Sequence, residues 1–203
     1  MSQTTRSVAP SRSEEGKAAR RSRVIEVAMR MAHEGGYEAV HMRDVAEQAD
    51  VSLGTIYRYF HGKDDLLLAG LVGWVSLLRR RIESESGVGA SAAERLSGVL
   101  TEAAVAAEGA PVLMGALITA LSTTDPAAAD YKLAVEAEVQ QLMVAAIGDD
   151  PDVDAAGVSR VMGHVWLSAI SRWVGGLAPA GSVAEELRHA VTMLVGTRVS
   201  SEA

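Results

Sequence analysis

The 203-residue chain has no cysteine and a single phenylalanine, Phe60. Without cysteine there is no disulfide, thiolate metal site, cysteine nucleophile or CxxC redox pair, and such a composition suits a reducing cytoplasm. Long apolar runs are missing too. The longest uncharged stretch, residues 109–124, contains Pro111 and falls short of the roughly 18 residues of a membrane span. No apolar segment follows Met1–Arg6 as a secretory signal requires, so a soluble cytoplasmic protein is expected. Strand patterns are absent: no run of β-branched or aromatic residues alternates with polar ones between turn signals. The chemistry-bearing signatures His-Glu-x-x-His, Gly-x-Ser-x-Gly, Gly-x-x-x-x-Gly-Lys and the dinucleotide glycine fingerprint do not occur. Asp150-x-Asp152-x-Asp154 resembles the start of a calcium loop, but Ala155 stands where glycine is needed and Val161 where glutamate is. No metal, cofactor or catalytic activity is expected.

The net charge of −7 is unevenly placed. Residues 1–86 carry thirteen basic and twelve acidic side chains, whereas residues 87–203 carry six basic and fourteen acidic. Arg6, Arg12, Lys17, Arg20, Arg21 and Arg23 face only Glu14 and Glu15 in the first 23 residues. Residues 1–19 therefore read as a disordered basic arm, of the sign a phosphate backbone attracts.

Apolar residues recur at helical spacing almost everywhere, which predicts an all-α fold. Val24, Val27, Ala28 and Met31 make one face of a first helix, stopped at Gly35-Gly36, with Tyr37 and Val40 folding back. Short helices are expected over 42–49 and 53–60, separated by a turn at Asp50-Val51, with Ser52 as N-cap. A long helix over 63–84 presents Leu66, Leu67, Gly70, Leu71, Trp74, Leu77 and Leu78 and ends in Arg79-Arg80-Arg81, a cationic tail suited to a helix C-terminus. Residues 84–90, rich in Ser and Gly, form a hinge. Five helices follow, near 91–108, 111–122, 126–147, 151–177 and 182–199. Their starts are marked by the capping boxes Ser91-x-x-Glu94 and Ser182-x-x-Glu185, and by Asp125-Pro126 and Asp150-Pro151.

The segment Arg43 to Phe60 has the layout of a helix-turn-helix. Ala46 permits close approach of its two helices, and Val45, Ala49, Val51, Ile56 and Phe60 supply their apolar inner faces. Thr55, Tyr57, Arg58 and Tyr59 are donors able to reach phosphates or base edges, and Gly54 lets backbone approach DNA.

Gly35-Gly36-Tyr37, Arg43-Asp44-Val45-Ala46 and the run Gly54-Thr55-Ile56-Tyr57-Arg58-Tyr59-Phe60-His61-Gly62-Lys63 resemble the TetR family of bacterial one-component repressors, most closely the branch of actinobacterial repressors of cholesterol catabolism. The resemblance covers roughly residues 20–68. It implies a DNA-binding domain over 20–66, followed by a helical ligand-binding and dimerisation domain over 67–203. Arg43, Leu53, Gly54, Thr55 and Tyr57 would sit against bases and backbone, with Tyr59 and Lys63 clamping phosphates; Ser52 and Arg58 complete the candidate DNA-contacting set. His41 stands where the family usually has a Thr or Ser cap, a poorer start for the first short helix.

The last two helices carry wide apolar stripes. Val158, Val161, Met162, Val165, Trp166, Ala169, Ile170, Trp173, Val174 and Leu177 form one, and Leu187, Ala190, Val191, Leu194 and Val195 the other, enough for a core and, given the resemblance, a four-helix homodimer interface. Trp74, Leu78, Met114, Leu117, Ile118, Leu121, Met143 and Trp166 are candidates for an effector pocket. Leu96, Leu100, Tyr131, Val135, Val139, Leu142 and Met162 could share it or form core. Because Phe60 lies outside this domain the pocket would be aliphatic, which favours a steroid, lipid or acyl thioester over a planar dye. His164, Ser168 and Arg172 form a polar stripe that suits a hydrated or dimer edge; Glu185 and His189 are a surface pair. The expected function is that of a ligand-released repressor, dimeric on a palindromic DNA operator. Two alternatives are a helical enzyme using His164 and a carboxylate, and a ligand-binding adaptor that does not bind DNA.

Overall fold

The computed structural model describes residues 12–84 and 91–196. Helix α1 (Arg12–Ala39) is kinked at Gly36, which adopts φ 74°. Residues 12–19 are thus helical, not the disordered arm expected there; residues 1–11 of that arm lie outside the described residues. Then come α2 (Met42–Gln48), α3 (Leu53–Tyr57), α4 (Lys63–Ser84), α5 (Ala92–Glu108), α6 (Pro111–Leu121), a 3-10 turn (Pro126–Ala128), α7 (Ala129–Ile147), α8 (Ala155–Val174) and α9 (Ser182–Leu194). Among the described residues there is no strand.

Helix α4 is the axis of the molecule. Leu66, Leu67, Leu68, Gly70, Leu71 and Val75 are buried on it. It packs against α1 and α6 on one side and most extensively against α7 on the other. Each fully buried leucine contributes about 1.5–3 kcal/mol relative to an exposed one. Gly70 marks the closest crossing: a Cβ there would stand 2.4 Å from Met29 Sδ of α1. Leu77, expected on the inner face, is 62% exposed, although Ser76 beside it is buried and Leu78 lines the cavity. Arg79, from the expected cationic tail, bonds sideways to Glu138 of α7 and Glu83, while Arg81 pairs with Glu102 of α5. Burial opposes ionisation of Glu138, but bonds from the Ser76 hydroxyl and Arg79 together hold it below the usual carboxylate range. The hinge residues 85–90 lie outside the described residues.

Helix ends differ from expectation where side chains found other partners. The capping box at Ser91 forms as read. At α8 the start moves from Pro151 to Ala155, because Asp150 caps a local turn through the Asp152 amide while Asp154 accepts from Gly157 N–H. Its end moves from Leu177 to Val174. Gly176, at φ 72°, turns the chain so that Leu177 N–H reaches Arg172 O and Gly176 N–H reaches Trp173 O, a Schellman closure. Ser182 is the first residue of α9 and not its cap: the cap is Gly181, and the free amides of Gly181 and Val183 donate to the Glu108 carboxylate at the end of α5. Helix α3 stops at Tyr57 instead of Phe60, whose amide returns to Ile56 O as its ring turns inward. The end expected for α9 near residue 199 lies outside the described residues.

Glu108 is a tertiary cap, so Glu108→Ala should cost about 1 kcal/mol and lower the thermal midpoint by about 2–4 °C. Differential scanning calorimetry checks this, and an unchanged midpoint would show that water replaces the carboxylate at no cost.

Candidate DNA interface and ligand cavity

Between α2 and α3 the chain turns through Asp50, at φ 51°, with Val51 N–H bonded to Ala46 O. Val45, Ala46, Ala49, Ile56 and Phe60 are buried under this turn. The small Ala46 lets the helices meet, and the pair is a helix-turn-helix. His41 heads α2 without a side-chain cap bond. Ser52 caps α3: its hydroxyl accepts from Thr55 N–H and lies 2.8 Å from Thr55 Oγ1.

The candidate DNA-contacting residues separate into two groups. Arg43, Ser52, Gly54, Tyr57 and Arg58 are exposed, Tyr57 to 53%, and Thr55 is half-buried beside them. Leu53 is half-buried and packs on the core, which restricts what it can offer a base. Tyr59 differs more sharply: its hydroxyl is buried without a partner and its ring lies under Arg58, so as placed it cannot clamp a phosphate. The apolar spacing that brings Ile56 and Phe60 inward carries Tyr59 partly with them.

Lys63, at the first position of α4, is a strut as well as a surface cation. Its ammonium lies 3.8 Å from the Tyr37 ring centroid, donates to Tyr37 O and approaches Glu38 at 3.6 Å. Tyr37 in turn donates its hydroxyl to Asp64 Oδ1 at 2.6 Å. Burial first, then the Asp64 bond and charge, raise the Tyr37 pKa well above its ordinary value, so the phenol stays a donor across the physiological range. The kink in α1 and the head of α4 are thereby locked together. Next to them Asp65, nearly fully buried, accepts from the His61 backbone N–H and lies 3.0 Å from its ring.

Within the C-terminal domain a cavity of about 490 Å³ opens among α4, α5, α6, α7 and α8. Trp74, Leu78, Met114, Leu117, Ile118, Leu121, Met143 and Trp166 all line it, together with Leu100, Val135, Val139 and Leu142. Leu96 and Met162 are instead fully buried core, and Tyr131 packs against Phe60. The walls are aliphatic and indole. Polar side chains line it too: Lys132, Glu136 and Gln140 from α7 and Arg160 and His164 from α8, the Lys132 ammonium being bonded to Thr123 O. Residues 132, 136 and 140 recur every fourth position, so helical spacing alone placed them on one face of α7. That this face lines a cavity needed the neighbouring helices. Of the stripe read on α8, His164 reaches the cavity, while Ser168 and Arg172 are exposed. Among the described residues no cluster of His, Asp and Glu could hold a metal, and no single helix is long and apolar enough to cross a membrane.

Helices α8 and α9 pack on each other and on the body through Val158, Met162, Ala169, Ile170, Val183, Leu187 and Val191. Val161, Leu167, Met193 and Leu194 remain exposed, at 40–63%.

Comparison with known proteins accounts for both halves. Residues 24–69 match the family of bacterial regulatory proteins of the tetR type, and residues 89–194 match the tetracyclin repressor-like C-terminal domain. The chain is 34% identical over 188 residues to the HTH-type transcriptional repressor KstR of Mycobacterium tuberculosis, covering 92% of this chain and 86% of the relative. It is 35% identical over 178 residues to KstR of Rhodococcus jostii, covering 87% and 83%. The crystal structure of a TetR transcriptional regulator from Rhodococcus sp. RHA1 superposes with a TM-score of 0.78 at 26% identity, over 90% of this chain and 98% of that one. The fold is also that of Thermus thermophilus FadR in complex with lauroyl-CoA, with a TM-score of 0.67 at 21% identity over 90% and 97% of the two chains. A helix-turn-helix head on a helical body with an apolar cavity, matched along nearly its whole length, makes this chain a member of the TetR family of DNA-binding transcriptional regulators, in the KstR branch.

Proposed function

We propose that the protein represses transcription as a homodimer on a palindromic operator and is released by an amphiphilic effector, a steroid or an acyl-CoA thioester, bound in the α4–α8 cavity. The observation that carries this reading is the reach of α4. Its first turn is locked to α1 beside the helix-turn-helix, and Leu71, Trp74, Val75 and Leu78 further along form a wall of the cavity. A ligand that wedges this wall acts on the helix that presents the DNA-binding head. It releases DNA only if it binds the DNA-incompetent arrangement more tightly, by the factor through which it weakens DNA.

The chemistry of the cavity supports the ligand class. Aliphatic and indole walls accept a steroid nucleus or acyl chain, methionine adapts to its shape, and Arg160 and His164 in the lining suit a thioester and its anionic carrier. The related FadR structure with lauroyl-CoA points the same way, as does the stearoyl-CoA complex of Bacillus subtilis FadR. On the head, Arg43, Thr55 and Tyr57 would read base edges. Gly54 would let the backbone close on DNA, with Leu53 touching a thymine methyl, while Ser52 and Arg58 sit by the phosphates. Lys63 would add a phosphate contact to its hold on Tyr37, since an ammonium has three donors. Dimerisation through α8 and α9 would cover their exposed apolar residues and set the two heads about 34 Å apart, one DNA turn.

Three outcomes are expected. In fluorescence anisotropy with operator fragments selected from the genome, Arg43→Ala should lose about 1–3 kcal/mol and relax preference at one base, while Lys63→Ala lowers the salt slope by about 1; equal binding to every duplex would refute groove reading. Lauroyl-CoA should release the operator from the unaltered protein but not from Leu117→Trp, whose indole fills the cavity; release that persists in Leu117→Trp would place the effector elsewhere. In sedimentation, Val161→Glu combined with Leu194→Glu should convert a dimer to a monomer, and an undisturbed dimer would move the interface away from α8 and α9.

A further inference from the structure

The ring of Phe60 is only 1% exposed and follows α3 by three residues. Its neighbours come from both domains. Tyr131, in the first turn of α7, stacks against it with centroids 6.1 Å apart and planes inclined at 29°. Arg21 of α1 holds its guanidinium carbon 5.3 Å from the centroid of the same ring and donates from Nη2 to the Tyr131 hydroxyl at 3.3 Å. Arg21, Phe60 and Tyr131 thus close a triangle joining residues 110 positions apart in the chain. Beyond it, Tyr59 packs tilted on Phe60 at 6.4 Å.

This triangle matters because α3 has only five residues. One helical turn cannot hold its own direction through backbone bonds, so its attitude is set by what packs against it. Buried Ile56 holds its middle, and Phe60 secures its far end. Tyr131 belongs to the sensor domain, and the next residue, Lys132, lines the cavity, followed a turn later by Val135 and Glu136. A side chain one position from the cavity wall therefore grips the far end of the DNA-facing helix by a route separate from α4. A phenol suits the place: its ring stacks on Phe60 while its oxygen accepts from Arg21, which leaves the guanidinium over the ring.

We propose that Tyr131 is a positioning residue for DNA binding, holding α3 at a defined angle through Phe60 and Arg21 and handing movements of the first turn of α7 directly to it. The proposal rests on the reading of α3 as the helix that enters the groove, and not on the identity of any effector. The test is operator affinity of the full-length protein without effector, corrected for the active fraction by stoichiometric titration. Tyr131→Phe keeps the ring and loses only the acceptor for Arg21; Tyr131→Leu keeps apolar bulk and loses both contacts. Operator binding should weaken about threefold in the first and up to about thirtyfold in the second, the range typical of contacts that couple two sites. Binding to unrelated duplex should hold, and the salt slope should match the unaltered protein, because no phosphate contact has been removed. In an Arg21→Gln background, Tyr131→Phe should have no further effect. Unaltered operator affinity in both Tyr131 variants overturns the proposal, as does a shallower salt slope or an equal loss on every duplex. Failure of the unaltered protein to prefer any operator would sink the groove reading and this proposal together.

Discussion

The rest of the molecule depends on the packing of α4 between α1 and α7. Both contacts are close, the first through the crossing of Gly70 over Met29, the second more extensive and tied by Arg79 to Glu138. A packed interface of this kind shifts as a body instead of deforming continuously, because interiors at this density have little free volume. Strain introduced among Trp74, Val75 and Leu78 therefore has to appear elsewhere along α4. One place it can appear is the first turn, where Lys63 and Asp64 are bonded to Tyr37. The lock at that end is built from an ammonium over a ring and a neutral phenol donating to a carboxylate, contacts with defined direction.

A cavity in such a body is costly. Side chains facing empty space lose the dispersion contacts a filled core supplies, and a volume near 490 Å³ forgoes many of them. The walls are nonetheless mostly aliphatic, and the polar side chains that line it come from α7 and α8. Their presence distinguishes it from a dry packing defect, which is apolar throughout. Few aromatic residues line it: Trp74 and Trp166 supply area, and methionine and leucine supply shape.

Much of this was legible along the chain. The two short helices, the Ser52 cap, the exposed Tyr57 and the bounds of α4 follow from local rules of capping, glycine breaks and apolar spacing. The eight residues expected to line the pocket do line one cavity, since helical periodicity together with chain order confines them to the inward faces of α4, α6, α7 and α8. Two of the errors share a cause. Ser182 fails as a cap because Glu108, 73 residues away from Gly181, takes the amides. Leu77 is exposed because neighbouring helices do not reach it. Tyr59 turns its hydroxyl inward because α3 ends early and its last turn tightens. The first two depend on residues distant in sequence, whereas the end of α3 is set by bonds within one turn.

The sequence by itself determined the helical class, the helix-turn-helix and its polar face, the family, and the aliphatic character of the sensor domain. These are properties of composition and of spacing within about one or two helical turns, where backbone geometry leaves few choices. Tertiary structure alone decided which cation is a strut, that the Tyr59 hydroxyl is buried, which polar side chains line the cavity, and that Tyr131 meets Phe60 and Arg21. Those outcomes hang on the crossing and rotation of whole helices, and a rotation of some tens of degrees exchanges one side chain for its neighbour. Only the simultaneous packing of every helix fixes that angle.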